Sequence, residues 1–158
     1  MLYRLGVRDA TGHMLKAERN TVDFLVNGIS LFSATRAGSH DMCGCFSSDY
    51  EACNNARKRH ENKRIANIFT FETPAEIHPN RVALFICPEC GDFACGAITF
   101  QLSRDGNSVL WSRFAYENGY DETQTDFDSY ATIGPFEFAF DRYRAAIEKA
   151  SHSRPVAR

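Results

Sequence analysis

The sequence predicts a single α+β domain with a mainly antiparallel, twisted sheet and a helix at its C-terminus. Bulky apolar residues, among them 13 Phe and 6 Tyr, occur in short runs that suit strands better than long helices. Turn signals separate these runs, and a helical pattern is clearest near the C-terminus. Because 158 residues are enough to bury a core, we expect one domain over residues 1–150 and a flexible tail over 151–158.

The first half of the chain predicts a short hairpin, a loop and a helix. Apolar residues alternate over 22–26, and the Asn-Gly pair that follows is typical of a tight turn into a second short strand or a helix start. Residues 33–48 are rich in Gly, Ser, Asp and Cys and predict a loop. Residues 48–51 have the spacing of a helix capping box, so we expect a helix behind them.

The second half of the chain predicts mainly strands. Apolar runs at 65–71 and 81–87 are separated by a connection with two prolines, so each is expected to form a strand. The clearest element is a long antiparallel hairpin over 97–116. A Gly-Pro turn leads into a final short strand at 136–138, and Asp141 is placed to cap the C-terminal helix that follows it.

The composition indicates where the protein resides. No apolar stretch approaches the roughly 20 residues that a membrane helix needs, and the N-terminus lacks the apolar region of a signal peptide. We therefore expect no membrane contact and a cytoplasmic location. In that reducing compartment the six cysteines are expected to be thiols or metal ligands rather than a disulfide framework.

The strongest local motif is Cys87-Pro88-Glu89-Cys90-Gly91, which has the pattern of a zinc knuckle. Two thiolates on a tight turn converge on one metal, and the glycine permits the backbone angle that such a turn requires. Cys95 and Cys43 are the candidates to complete one structural zinc site with Cys87 and Cys90. Other residues that can take the fourth position are Cys45, Cys53, His40 and His60.

Two other interpretations of the cysteines stay open. The cysteines can be small buried thiols at strand ends, which is a common fate of free cysteine. Cys87 and Cys90 can also form a Cys-x-x-Cys redox pair. In thioredoxin-like proteins a helix follows the first cysteine and lowers its pKa, whereas here Gly91 and a strand-like segment follow.

The net charge of −2 conceals an uneven distribution along the chain. From Leu84 to Asp141 there are ten acidic residues and only two basic ones, so we expect an acidic surface that attracts a basic partner. The alternatives are a solvated loop, a calcium loop or paired catalytic carboxylates, although the Gly and final Glu of an EF-hand are missing. The residues expected to contact the partner are Glu117, Asp121, Glu122, Asp126 and Asp128.

Other functional motifs are weak. The basic cluster at 57–64 has few aromatic neighbours for base stacking, so nucleic-acid binding is not expected. None of the five histidines lies near a nucleophile motif such as G-x-S-x-G. No phosphate-binding loop or nucleotide fingerprint occurs either.

Several segments resemble an uncharacterised family of small bacterial proteins. They are residues 22–28 with Ser30-Leu31, Cys87-Pro88-Glu89-Cys90-Gly91-Asp92 with Cys95-Gly96-Ala97, Trp111 with Tyr116-Glu117-Asn118, and Gly134-Pro135-Phe136-x-Phe138. The resemblance spans most of the chain and implies a self-contained domain in which the cysteine turn has a structural role. Some members carry the generic name oxidoreductase, but the resemblance assigns no catalytic residue.

From the residues we expect a non-enzymatic protein-binding domain. Within that class, we expect an immunity-type protein that neutralises a basic toxin domain through its acidic surface, because many toxin domains are basic. The alternatives are a zinc-stabilised structural or assembly module and a thiol-dependent oxidoreductase.

Overall fold

A computed structural model of the chain confirms the α+β class. It describes residues 2–8, 11, 14–20, 22–46, 55–75, 77, 80–88, 91, 93–119 and 124–152. These residues form one five-stranded antiparallel sheet, two two-stranded antiparallel ladders and three α-helices. No helix in these ranges is long and apolar enough to span a membrane.

The N-terminal part of the chain forms two hairpins. Strands β1 (Leu2–Arg8) and β2 (Met14–Asn20) pair in antiparallel register, which the sequence did not predict. Strands β3 (Leu25–Val26) and β4 (Ile29–Ser30) form the predicted tight hairpin and lead into helix α1 (Leu31–Ala34). Both residues of the turn between β3 and β4 have positive φ, +52° at Asn27 and +79° at Gly28, as the Asn-Gly pair predicted.

The central sheet is an antiparallel meander whose strands lie in chain order. Ladder irregularities occur between Ala83 and Phe85 and between Thr99 and Gln101, where a bulge bends the strand and increases its twist. The predicted hairpin over 97–116 is the longest pair in the sheet. The five strands are β5 (Cys43–Gly44), β6 (Arg81–Ile86), β7 (Ala97–Asp105), β8 (Ser108–Glu117) and β9 (Phe136–Ala139).

The predicted strand at 65–71 is wrong, because most of that run belongs to helix α2 (Asn55–Phe69). Its apolar residues bury one helical face, and the helix ends in a Schellman motif with Phe71 in the left-handed region at φ +65°. The amide of Glu72 donates to the carbonyl of Asn67, and that of Phe71 donates to Ile68. Glycine usually occupies this position, so the sequence carried no recognisable stop signal. The predicted capping box at 48–51 lies outside the described residues.

Helix α3 (Phe140–Ser151) confirms the predicted C-terminal helix. The prediction that Asp141 caps it is wrong. Ala139 is the N-cap residue, and Asp141 lies within the first turn. Its negative charge there interacts favourably with the positive end of the helix dipole. Residues 153–158, which include most of the expected tail, lie outside the described part of the chain.

Helices α2 and α3 pack on the sheet through an aromatic core around Trp111 of β8. The Trp111 indole Nε1 donates to the Tyr143 hydroxyl (3.3 Å), which donates to the carbonyl of Phe69 (3.0 Å). The chain of two bonds joins β8, α3 and the end of α2, and it satisfies polar groups that would be costly to bury alone. The rings in contact with Trp111 are those of Phe24, Phe69, Phe100, Phe138 and Tyr143.

Candidate functional site

A buried ion pair joins the first residue of β6 to the last residue of β8. The Arg81 Nε lies 2.8 Å from the Glu117 Oε1, and the two residues are 8% and 4% exposed. The same guanidinium donates to the Thr99 hydroxyl of β7 (2.6 Å) and to the Arg113 carbonyl of β8 (2.9 Å). Burial lowers the pKa of Arg81, and the adjacent Glu117 carboxylate opposes that effect. One side chain therefore ties three strands together.

Glu117 corrects one sequence prediction. It was expected to be one of five exposed acidic residues that contact a partner, yet its side chain is buried against Arg81. A carboxylate buried in this way is neutralised inside the fold and adds little to the field outside it. Glu117 is thus a structural residue.

The Arg81 guanidinium also anchors the segment that follows β8. Its Cζ lies 5.1 Å from the centre of the Phe127 ring, and the Cζ of Arg113 lies 5.0 Å from the same ring. Both are within cation–π range. The backbone of Asp126 pairs with that of Tyr116 in both directions, with N–O distances of 2.9 and 3.2 Å. Residues 124–130, which we call the acidic segment, are therefore fixed to the edge of the sheet.

Two of the predicted partner-binding carboxylates lie on the acidic segment. Asp128 is exposed, and Asp126 is partly exposed. Hydrogen bonds from the Ser129 side chain and backbone hold the pKa of Asp126 below its ordinary value, and the Ser129 amide lies 3.0 Å from Asp126 Oδ1. Asp126 is therefore charged at neutral pH. Asp121 and Glu122, the other two predicted contacts, lie outside the described residues.

The other described acidic residues between Leu84 and Asp141, a stretch that we call the acidic block, do not all lie near the acidic segment. Glu137 pairs with Leu110 across the β8–β9 ladder and accepts a hydrogen bond from the Ser108 hydroxyl, at the opposite end of β8 from Tyr116. Asp105 pairs with Ser108 at the same far end. At about 3.4 Å per residue, Ser108 and Tyr116 are roughly 27 Å apart along the strand. The described part of the acidic block therefore divides between the two ends of β8.

Gly96, in the second half of the cysteine motif, makes room for Tyr116. It has φ +97°, and a Cβ at this position would lie 2.4 Å from the Tyr116 hydroxyl oxygen. The ring of Tyr116 also stacks on the ring of His40, with centroids 5.0 Å apart. A glycine is therefore required beside Cys95 by packing alone, apart from any role in a metal turn.

The cysteines differ in their surroundings. Cys43 and Cys45 are buried, Cys87 is half-buried and Cys95 is exposed. Burial raises the pKa of the Cys45 thiol far above its ordinary value, and the neighbouring Cys43 adds to this effect. Cys45 therefore stays protonated and is a poor nucleophile. A thiol-dependent enzyme would have to use the other cysteines.

The predicted zinc site stays a prediction. Gly91 has φ +65°, and its amide donates to the Cys87 carbonyl (2.8 Å). In the part of the chain that the structure describes, no three Cys, His, Asp or Glu side chains are grouped to hold a metal, and this includes Cys87, Cys95 and Cys43. Cys90 lies outside that part.

Sequence analysis missed Arg81 and Phe127. An arginine that opens the apolar strand Arg81–Ile86 needs a buried partner, and Glu117 at the end of another strand is a suitable one, but no pattern shows that the two strands bring them together. Phe127 lies among acidic residues and gives no local signal. Comparison with protein-family models, with curated proteins and with solved structures found no match.

Proposed function

We propose that the domain is a protein-binding domain whose acidic segment contacts a basic partner, in the manner of an immunity protein that covers a toxin domain. The observation that supports this proposal is the anchoring of the acidic segment. Asp126 is fixed by the Tyr116 backbone and by Ser129, while Phe127 packs under two guanidinium groups. The acidic segment is thus held in place before a partner arrives.

Fixed surface charge favours binding for two physical reasons. An ordered segment loses less conformational entropy on association than a flexible one does. Exposed carboxylates also raise the association rate for a partner of opposite charge, and this effect weakens as salt screens the field. Both effects depend on where the charges lie rather than on the net charge of the chain.

The test compares two double variants with the same change in net charge. Asp126→Asn with Asp128→Asn removes the charges of the acidic segment, and Asp105→Asn with Glu137→Gln removes two at the far end of β8. The partner is isolated by affinity capture from the native host, and its association rate with each variant is measured by surface plasmon resonance from low to high salt. We expect the first variant to slow association several-fold and to flatten the salt dependence.

The control variant should bind at nearly the wild-type rate. Equal losses in both variants would show that only net charge matters, and no loss in either would show that the acidic segment does not contact the partner. Capture of a partner without basic character would also contradict the proposal. Circular dichroism of both variants confirms that the fold is retained.

A further inference from the structure

Helices α2 and α3 lie side by side on one face of the central sheet, and we call them together the helical layer. The Asn62 side chain of α2 donates to the Ser151 carbonyl at the end of α3 (3.2 Å). Near the start of α3, the Tyr143 hydroxyl donates to the Phe69 carbonyl at the end of α2 (3.0 Å). The two helices are therefore antiparallel neighbours. At 1.5 Å per residue, α2 is about 22 Å long and α3 is about 18 Å long.

The helical layer is strongly basic, although the chain as a whole is acidic. Its two helices contain eight arginine and lysine residues and only three aspartate and glutamate residues, whereas the whole chain has a net charge of −2. Two of the three acidic residues pair with arginines of the same helix, Glu61 with Arg64 and Glu148 with Arg144. An excess of cations therefore remains on the layer after these pairs are formed.

Lys63 of α2 and Arg142 of α3 are two of these excess cations. Both residues are exposed. Neither side chain forms an ion pair or a hydrogen bond within the part of the chain that the structure describes. A surface cation without a counter-ion in its own chain contributes its full charge to the field that an external anion meets.

The acidic segment lies on the other face of the sheet. Phe100 of β7 contacts Phe69 of α2, with ring centroids 5.7 Å apart, so it points towards the helical layer. The neighbouring Thr99 points the opposite way and contacts Arg81. Arg81 in turn lies over Phe127 of the acidic segment. The molecule therefore has a basic side and an acidic side, and this separation orients it towards a charged partner.

The surface of the helical layer distinguishes between possible anionic partners. In the described part of the chain, the large apolar side chains that are exposed are Leu25, Ile29 and Phe71, and none of them belongs to α2 or α3. A protein interface usually has an apolar or aromatic centre, and a membrane-surface helix has an apolar face. Single-stranded nucleic acid is bound through aromatic platforms for its bases. A duplex backbone needs only cations, because phosphate contacts supply essentially all of non-specific binding.

We propose that the helical layer binds the phosphate backbone of double-stranded nucleic acid without sequence preference. Duplex DNA carries one negative charge per about 1.7 Å of its axis, so the length of α2 spans about 13 phosphates. The basic cluster at 57–64 alone gave no such expectation, because it has few aromatic neighbours. The fold adds the cations of α3 beside that cluster, and a duplex requires no base stacking. This surface is opposite the acidic segment and does not depend on it.

The test measures binding of the full chain to a short labelled DNA duplex by fluorescence anisotropy over a range of salt concentrations. We expect a Kd of about 10⁻⁴ to 10⁻⁶ M at physiological salt and much tighter binding at low salt. Two duplexes of unrelated sequence should bind equally, and a single strand of the same length should bind more weakly. Absence of duplex binding at low salt would overturn the proposal. So would equally tight binding to the single strand or to vesicles that contain phosphatidylserine.

Three single substitutions localise the duplex. Lys63→Gln and Arg142→Gln should each weaken binding and reduce the slope of log K against log salt by about 0.9, the value for one lost phosphate contact. The matched control is Arg36→Gln, which makes the same change at an exposed arginine outside the helical layer and should leave the slope unchanged. Equal losses in Arg142→Gln and Arg36→Gln would show that only net charge matters. Unchanged slopes in both helical variants would place the duplex elsewhere, and either result overturns the proposal.

Discussion

Replacement of Glu117 by Gln should destabilise the domain strongly, because it leaves the buried Arg81 cation without a counter-ion. At 2.8 Å and an effective dielectric constant of about 20, the attraction between the two charges is about 6 kcal/mol. Part of that attraction offsets the cost of burying the carboxylate, and removal of one partner of a buried pair typically costs about 3 to 5 kcal/mol. Domains of this size are stable by only about 5 to 15 kcal/mol.

The assay is urea denaturation followed by far-UV circular dichroism, with the free energy of unfolding obtained by linear extrapolation. The matched control is Glu148→Gln, which makes the same chemical change in an exposed pair whose atoms are 4.0 Å apart. That substitution should cost less than about 1 kcal/mol. The double variant Arg81→Met with Glu117→Leu should recover much of the loss, because it leaves no unpaired charge.

Two results would refute this reasoning. A cost for Glu117→Gln as small as that for Glu148→Gln would mean that water or another group compensates Arg81. A double variant less stable than the single one would mean that the hydrogen bonds of Arg81 to Thr99 and Arg113, rather than its charge, dominate.

Three further predictions concern other parts of the domain. Burial raises the folded-state pKa of both Cys45 and Tyr143 above their ordinary values of 9.0 and 10.0, so their contribution to stability is complete below about pH 9 and is lost as the pH rises. The melting temperature should therefore fall above pH 9, and Tyr143→Phe should make that fall shallower. Gly96→Ala should cost more stability in urea than Gly106→Ala, because a Cβ at 96 overlaps Tyr116 whereas at 106 it meets no atom within 4 Å. If the zinc site is correct, elemental analysis should find about one zinc per chain, and Cys87→Ser should remove it.

The sequence predicted the elements whose signals are local. The Asn27-Gly28 turn, the long hairpin and the C-terminal helix each follow from residue patterns within a few positions. The error at 65–71 has a physical reason. Ile65, Ile68 and Phe69 belong to an apolar run that is compatible with a buried strand, and the same residues form the buried face of a helix. The stop signal that would separate these cases was absent, because Phe71 occupies the position where glycine is usual.

The candidate site depends on contacts between residues that are far apart in the sequence. The charge distribution along the sequence therefore predicted only part of it. Glu117 counts as one more acidic residue in the sequence, but the sheet places it beside Arg81, whereas Asp126 and Asp128 stay accessible. Sequence charge therefore overestimates surface charge wherever a fold pairs its own ions. A count of charges along the sequence also does not show that the described part of the acidic block is divided between the two ends of β8.

Arg81 connects the central sheet to the acidic segment. Its guanidinium pairs with Glu117 and lies over Phe127, which belongs to the acidic segment. A buried ion pair is a poor source of stability compared with apolar residues of the same volume, so stability alone does not explain its presence. What the pair supplies is position, because it joins three strands and holds the ring that anchors the acidic segment. A change at Arg81 should therefore alter both the sheet and the acidic segment, whereas a change at Asp128 should alter the acidic segment alone.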